Sequence, residues 1–106
     1  MIYLFTDHPV SDTKSIVFDN YGVMEIGDAA KQSLEDPEWT SSKITGKRYY
    51  VTLSGYCKST DCMLSITFET TYGGDHVYAQ AVSCRWGAET STDALSIAMA
   101  MSAIYN

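Results

Sequence analysis

YVTLSGYCKSTDCMLSITFETTYGGDHVYAQAVSCRW, residues 50–86, consists of three β-branched and aromatic runs separated by turn residues. In the middle run Leu64, Ile66 and Phe68 alternate with Ser65, Thr67 and Glu69, the period of two that gives a strand one buried and one wet face. Gly73 and Gly74 in YGGD accept the positive φ of a tight hairpin turn, and KSTD joins the first run to the second. An antiparallel meander across residues 47–86 follows from these features.

Upstream, IYLF (2–5), SIVF (15–18) and YGVMEI (21–26) read as shorter strands. Within GDAAKQSLEDPEW (27–39), Asp28 starts a short helix, Ala29, Ala30 and Leu34 supply its apolar stripe, and Pro37 ends it. TSSKITGK (40–47) carries neither period and reads as a mobile loop. Downstream, Thr90 and Asp93 have the spacing of a capping box ahead of an almost uncharged helix, DALSIAMAMSAIY. At 100° per residue, Leu95 and Met99 fall on one side of that helix and Ile97, Met101 and Ile104 on the other. One side packs on the sheet, and the other needs cover from the first helix, a partner or a second copy of the chain. Ile97, Met101 and Ile104 are the candidate oligomer contact. The fold class expected is α+β: an antiparallel sheet made of the C-terminal three-strand meander plus N-terminal strands. The C-terminal helix and the short first helix pack on one of its faces.

With 106 residues, 45% of them hydrophobic and 19% charged, the chain has the size and composition of one globular domain, residues 1–106. No segment reaches the ~18 uninterrupted apolar residues of a membrane span. The start, MIYLFTDHPV, lacks a basic n-region and a small-residue cleavage site, so a cytoplasmic location is expected. Cys57, Cys62 and Cys84 are an odd number and read as reduced thiols. Cys57 and Cys62 nevertheless fall cross-strand over the KSTD turn, where a disulfide is geometrically feasible. No second close pair of ligands accompanies them, so no metal is expected, and no cofactor fingerprint occurs.

The net charge of −6 is concentrated at one end: residues 1–40 hold eight acids against two lysines, while residues 41–106 balance. An acidic half repels phosphate backbones and attracts basic protein surfaces, which disfavours direct nucleic-acid binding. A cysteine nucleophile would need His76 as its base, but hairpin register puts His76 and the two cysteines at opposite ends of the middle strand. No catalytic residue is therefore assigned, and the chain reads as a non-enzyme. Glu35, Asp36 and Glu38 crowd around Pro37 as exposed carboxylates, with Asp36 capping the turn that Pro37 begins. Tyr50 and Tyr56 alternate onto the face opposite Tyr49, Val51 and Leu53, where they can anchor a protein interface. The candidate partner-binding set is Asp19, Glu25, Asp28, Glu35, Asp36, Glu38, Tyr50 and Tyr56.

The segment WGAETSTDALSIAMA (86–100) is similar to the C-terminal ends of small phage and prophage accessory proteins, in which a last strand runs into an A-x-T-type cap and an alanine-rich helix. The resemblance implies a small acidic phage protein, and several such proteins, the anti-CRISPR proteins among them, inhibit host defence. The partner it implies is a host protein or ribonucleoprotein complex with a basic surface. No residue role is carried over from it. A small homo-oligomeric structural or assembly protein of a phage or mobile element is the alternative.

Overall fold

The computed structural model describes residues 7–105. In chain order the elements are α1 (Pro9–Lys14), α2 (Ile26–Ser33), β1 (Leu34–Thr45), β2 (Arg48–Cys57), β3 (Cys62–Gly73), β4 (His76–Trp86), β5 (Glu89–Ser91) and α3 (Ala94–Tyr105). The five strands form one antiparallel sheet in sequential order, so the chain adopts an α+β fold with the three helices on one face. No helix among the described residues is long and apolar enough to cross a membrane.

The meander forms where the alternation places it. Val51 and Leu53 of β2 and Leu64, Ile66 and Phe68 of β3 are completely buried on the inner face. Their neighbours Thr52, Ser54, Ser65 and Thr67 line the outer face. Tyr50 pairs with Glu69 and Cys57 with Cys62, which sets the β2–β3 register. Gly55 falls in the inner row, at a point where the start of the neighbouring strand β1 leaves no room for a side chain. A Cβ there would stand 3.0 Å from Leu34 Cβ and 3.1 Å from the Glu35 carbonyl.

IYLF lies outside the described residues, and the rest of the N-terminal half departs from its sequence reading in several places. SIVF and YGVMEI contribute one isolated bridge, Val17 to Glu25, in place of two strands. The chain turns tightly between them, with the Tyr21 N–H donating to the Phe18 carbonyl at 2.9 Å. Phe18, Tyr21 and Met24 pack against the core, with Phe18 5.4 Å from the Phe68 ring, while Val17 and Val23 stay exposed. The unexpected α1 begins with Pro9, whose fixed φ suits a first helical turn. It is pinned to β3 by the buried Thr13 and Thr70 hydroxyls, 2.7 Å apart.

Helix α2 starts at Ile26, two residues before Asp28, and buries Ile26, Ala29 and Ala30. Leu34, not Pro37, ends it: Leu34 takes extended angles (φ −115°, ψ 144°) and passes directly into β1. Pro37 lies inside β1, at a bulge between Glu35 and Glu38. Proline is tolerated there because an edge strand need not use every N–H. Asp36 beside it has φ 49°, so it shapes the bulge and does not cap a turn. TSSKITGK is not a loop. Residues 40–45 complete β1, and Thr45 pairs with Arg48 across a turn in which Gly46 has φ +50°.

Helix α3 is capped by Asp93 itself, whose carboxylate accepts the Ser96 N–H at 2.8 Å and the Ser96 hydroxyl at 2.9 Å. Thr90 cannot take the capping position because β5 holds it extended against Arg85. Ala100, Met101 and Ile104 are buried, and Ile97 packs against them. The Ser33 hydroxyl donates to the Ile104 carbonyl, tying α2 to α3. Met101 and Ile104 therefore belong to this chain's own core and cannot serve as an oligomer contact. The uncovered side of the helix is the Leu95 and Met99 side, with Leu95 72% and Met99 57% exposed.

Candidate partner-binding surface

With all the helices on the inner face, the outer face of the sheet stays open. Its side chains stand in rows across the strands, at the ~4.8 Å spacing of neighbouring strands. One row is Glu38, Ser54, Ser65, Arg85 and Thr90, and the next is Thr40, Thr52, Thr67 and Ser83. The Thr52 and Thr67 hydroxyls are 3.1 Å apart. Apart from the charged Glu38 and Arg85, these rows offer neutral hydroxyl donors and acceptors on a shallow surface.

Large and charged side chains border the hydroxyl rows at both ends. At one end Ser42, Tyr50, Glu69 and Gln80 form a row. Arg48 reaches along it to Glu69, its Nε and Nη2 donating to one carboxylate oxygen at 2.9 and 2.7 Å. At the other end Glu35, Tyr56 and Met63 stand side by side. The β1 bulge turns Asp36 and Glu38 toward the same place. Glu35, Asp36, Glu38, Tyr56 and Met63 surround a depression of about 300 Å³ floored by Ser54 and Gly55.

Two contacts border this acidic end. The Tyr56 hydroxyl donates to the Asp61 carboxylate, and that hydrogen bond, aided by partial burial, pushes the Tyr56 phenol above its ordinary range. Lys58 Nζ lies 3.7 Å from Glu35 in an exposed ion pair, which water screens to a small contribution. Among the described residues no ion pair joins Asp36 or Glu38.

Four of the eight residues expected to bind a partner thus converge: Glu35, Asp36, Glu38 and Tyr56. The others do not join them. Glu25 and Asp28 lie at the N-terminal end of α2, Asp19 precedes that helix, and all three are exposed. The eight residues of α2 separate them from Glu35 by ~12 Å along the helix axis. Tyr50, 43% exposed, shares the face of Tyr56 but lies six residues along β2, ~20 Å away.

Met63 escaped the sequence reading, although it is 53% exposed. Its signal was its place in the polar register of β3, opposite Leu64. The high tyrosine count also has a structural part. The Tyr49 hydroxyl donates to Asp7 at 2.7 Å and the Tyr72 hydroxyl to Asp12 at 2.6 Å. The Tyr105 hydroxyl accepts the Phe18 N–H at 3.1 Å. Burial first, and then the bond to Asp12, raise the Tyr72 phenol far above its ordinary range.

A second, larger depression of about 650 Å³ lies between α3 and the β2–β3 turn, lined by Ser59, Thr60, Trp86, Leu95 and Met99. Among the described residues no group of three His, Cys, Asp or Glu side chains converges to hold a metal ion. His76 pairs with Gly73 at one end of β3 and Cys62 with Cys57 at the other, so the histidine and the thiols are a strand length apart. No protein family, no curated protein and no solved structure matches this chain.

Proposed function

We propose that this chain is a non-catalytic binding protein that acts as a phage-type inhibitor. It covers a basic, nucleic-acid-facing surface of a host defence complex, in the manner of the anti-CRISPR proteins. One observation carries the proposal: the β1 bulge gathers Glu35, Asp36 and Glu38 around half-buried Tyr56 and exposed Met63 at one end of an open sheet face. Clustered carboxylates steer a lysine- and arginine-rich surface into contact, and the tyrosine and methionine supply apolar area once water is expelled. The hydroxyl rows beside them make a polar rim.

The test is restoration of phage plaquing in cells with active CRISPR interference, followed by affinity measurements on the complex captured. Glu35→Lys, Asp36→Lys and Glu38→Lys together should abolish both plaquing and capture, whereas Asp19→Lys with Asp28→Lys should leave them nearly intact. Affinity of the native chain should fall steeply as salt rises. Unchanged affinity in the triple variant would refute the role of the bulge.

The exposed Leu95 and Met99 beside Trp86 favour a second reading, a homo-oligomeric assembly component. Light scattering separates the two, because only the assembly reading requires a stable oligomer that Met99→Lys dissociates.

A further inference from the structure

Cys57 and Cys62 occupy the last rung of the β2–β3 ladder and face each other across the turn Lys58–Asp61. Directly opposed residues of an antiparallel pair have Cα atoms ~4.5–5.5 Å apart, inside the ~4.4–6.8 Å window of a disulfide. Both are free thiols here. Cys57 is buried, while Cys62 reaches solvent. Two hydroxyls of the turn attend the sulfurs: Ser59 Oγ lies 3.3 Å from Cys57 Sγ, and Thr60 Oγ1 lies 3.4 Å from Cys62 Sγ. The third cysteine lies too far away to join them. Cys84 stands opposite Ile66, four residues along β3 from Cys62, a distance of ~13 Å.

We propose that Cys57 and Cys62 form a redox-active dithiol, which a hydroperoxide converts to a disulfide within the β2–β3 hairpin. The Cys62 thiolate attacks a peroxide oxygen. The O–O bond breaks, Cys62 becomes a sulfenic acid, and the departing oxygen leaves as water or alcohol once protonated. The Cys57 thiolate then attacks the Cys62 sulfur. The S–S bond forms, the S–O bond breaks, and hydroxide leaves as water with the proton that Cys57 gave up. Two electrons pass from the two thiols to the peroxide.

Division of labour follows from position, since the accessible sulfur meets the oxidant and the buried one resolves it. Burial raises the Cys57 thiol, but hydrogen bonds from the side chains and backbone of Ser59 and Thr60 outweigh it and bring the thiol below its ordinary range. That favours the nucleophilic form. Lys58 and Asp61 of the same turn hold Glu35 and Tyr56, so the oxidised hairpin fixes one border of the acidic depression. The dithiol itself does not depend on the partner proposed above.

The experiment treats the reduced full chain with hydrogen peroxide, alkylates it, and reads thiol count, intact mass and peptide map. Thiols should fall from the three of the reduced chain to one, with loss of two hydrogens and no intermolecular dimer. Trypsin cuts after Lys58, between the two cysteines, so the product should appear as residues 49–58 joined to residues 59–85 with Cys84 alkylated. Cys84→Ser should leave the reaction unchanged. Cys62→Ser, altered at the solvent-reaching position, should lose the linkage while keeping the fold. Three remaining thiols, a linkage through Cys84, or Cys62 overoxidised while Cys57 stays alkylatable would each overturn the proposal.

Discussion

Met99 and Met101 stand two residues apart on α3 and differ almost completely in exposure, 57% against 1%. Replacing each with alanine removes the same atoms from the same helix, so the difference between the two costs isolates burial. Met101→Ala empties space among Ile26, Phe68 and Ile104, members of the same core cluster. It should cost ~2–5 kcal/mol through lost transfer energy and a cavity that the sheet cannot collapse to fill. Met99→Ala gives up less than half of a side-chain burial worth ~1.5–3 kcal/mol and leaves no cavity, so its cost should stay below about 1 kcal/mol. For a domain of this size, ~4–8 °C of Tm accompanies each kcal/mol. Met101→Ala should therefore lower Tm by ~8 °C or more. Urea melts at two protein concentrations measure both variants, with an unchanged slope confirming that stability and not compactness has altered. Equal losses for the two variants, with a concentration-dependent midpoint for Met99→Ala, would mean that a second copy covers the outer side of α3. The assignment of Met101 to the chain's own core would then fail as the sole account of this helix.

Three further outcomes are expected. Thr13→Val or Thr70→Val alone strands a buried hydroxyl and should cost ~1–3 kcal/mol, whereas the double variant should cost less than the two singles added, because neither hydroxyl is then left unpaired; chemical denaturation of all four proteins checks the cycle. Gly55→Ala drives a Cβ against Leu34 and the Glu35 carbonyl and should destabilise by ~1–3 kcal/mol, with amide exchange in β1 rising more than in β4. Acidification provides the last test. The Ser96 N–H and hydroxyl hold Asp93 below the ordinary carboxylate range, and the bond from Tyr49, then Lys47, does the same for Asp7. Folded-state values below the unfolded ones mean that this stabilisation is present above pH ~4 and is lost as pH falls through the folded values. Urea midpoints should drop on that limb, and Asp7→Asn with Asp93→Asn should flatten the drop.

The meander was legible because Leu64, Ile66 and Phe68 report a buried face directly, and because KSTD and Gly73-Gly74 punctuate it. The first part of β1 was not, since Pro37 carries the same letter whether it ends a helix or marks a bulge. The rest of β1 is held by ladder bonds to β2 on a mostly exposed edge, so Ser41, Ser42 and Lys43 show no hydrophobic period to read. Phe18 and Tyr21 look like strand residues by type, yet they serve as plugs, a role that depends on what lies opposite them in space. The two sides of α3 were separable from sequence, but which one is buried depends on the position of α2 and the sheet. Alternation placed Tyr50 and Tyr56 on the outer face. Whether the acids formed one patch required knowing that α2 stands between Asp28 and Glu35.

The sequential strand order also bears on how the chain reaches this state. Each hairpin of the sheet closes a short loop, so its entropy loss is small and its pairing can proceed rung by rung. The contact between α2 and α3 is different in kind. It joins residues 26–33 to residues 94–105, and the Ser33 to Ile104 hydrogen bond spans 71 positions. Closing that loop brings together the two helices that seal the inner face, so we expect it to be the slow step, to be checked by stopped-flow folding rates. Substitutions at Ile104 should slow folding, while those in the β3–β4 hairpin near Asp75 should mainly speed unfolding.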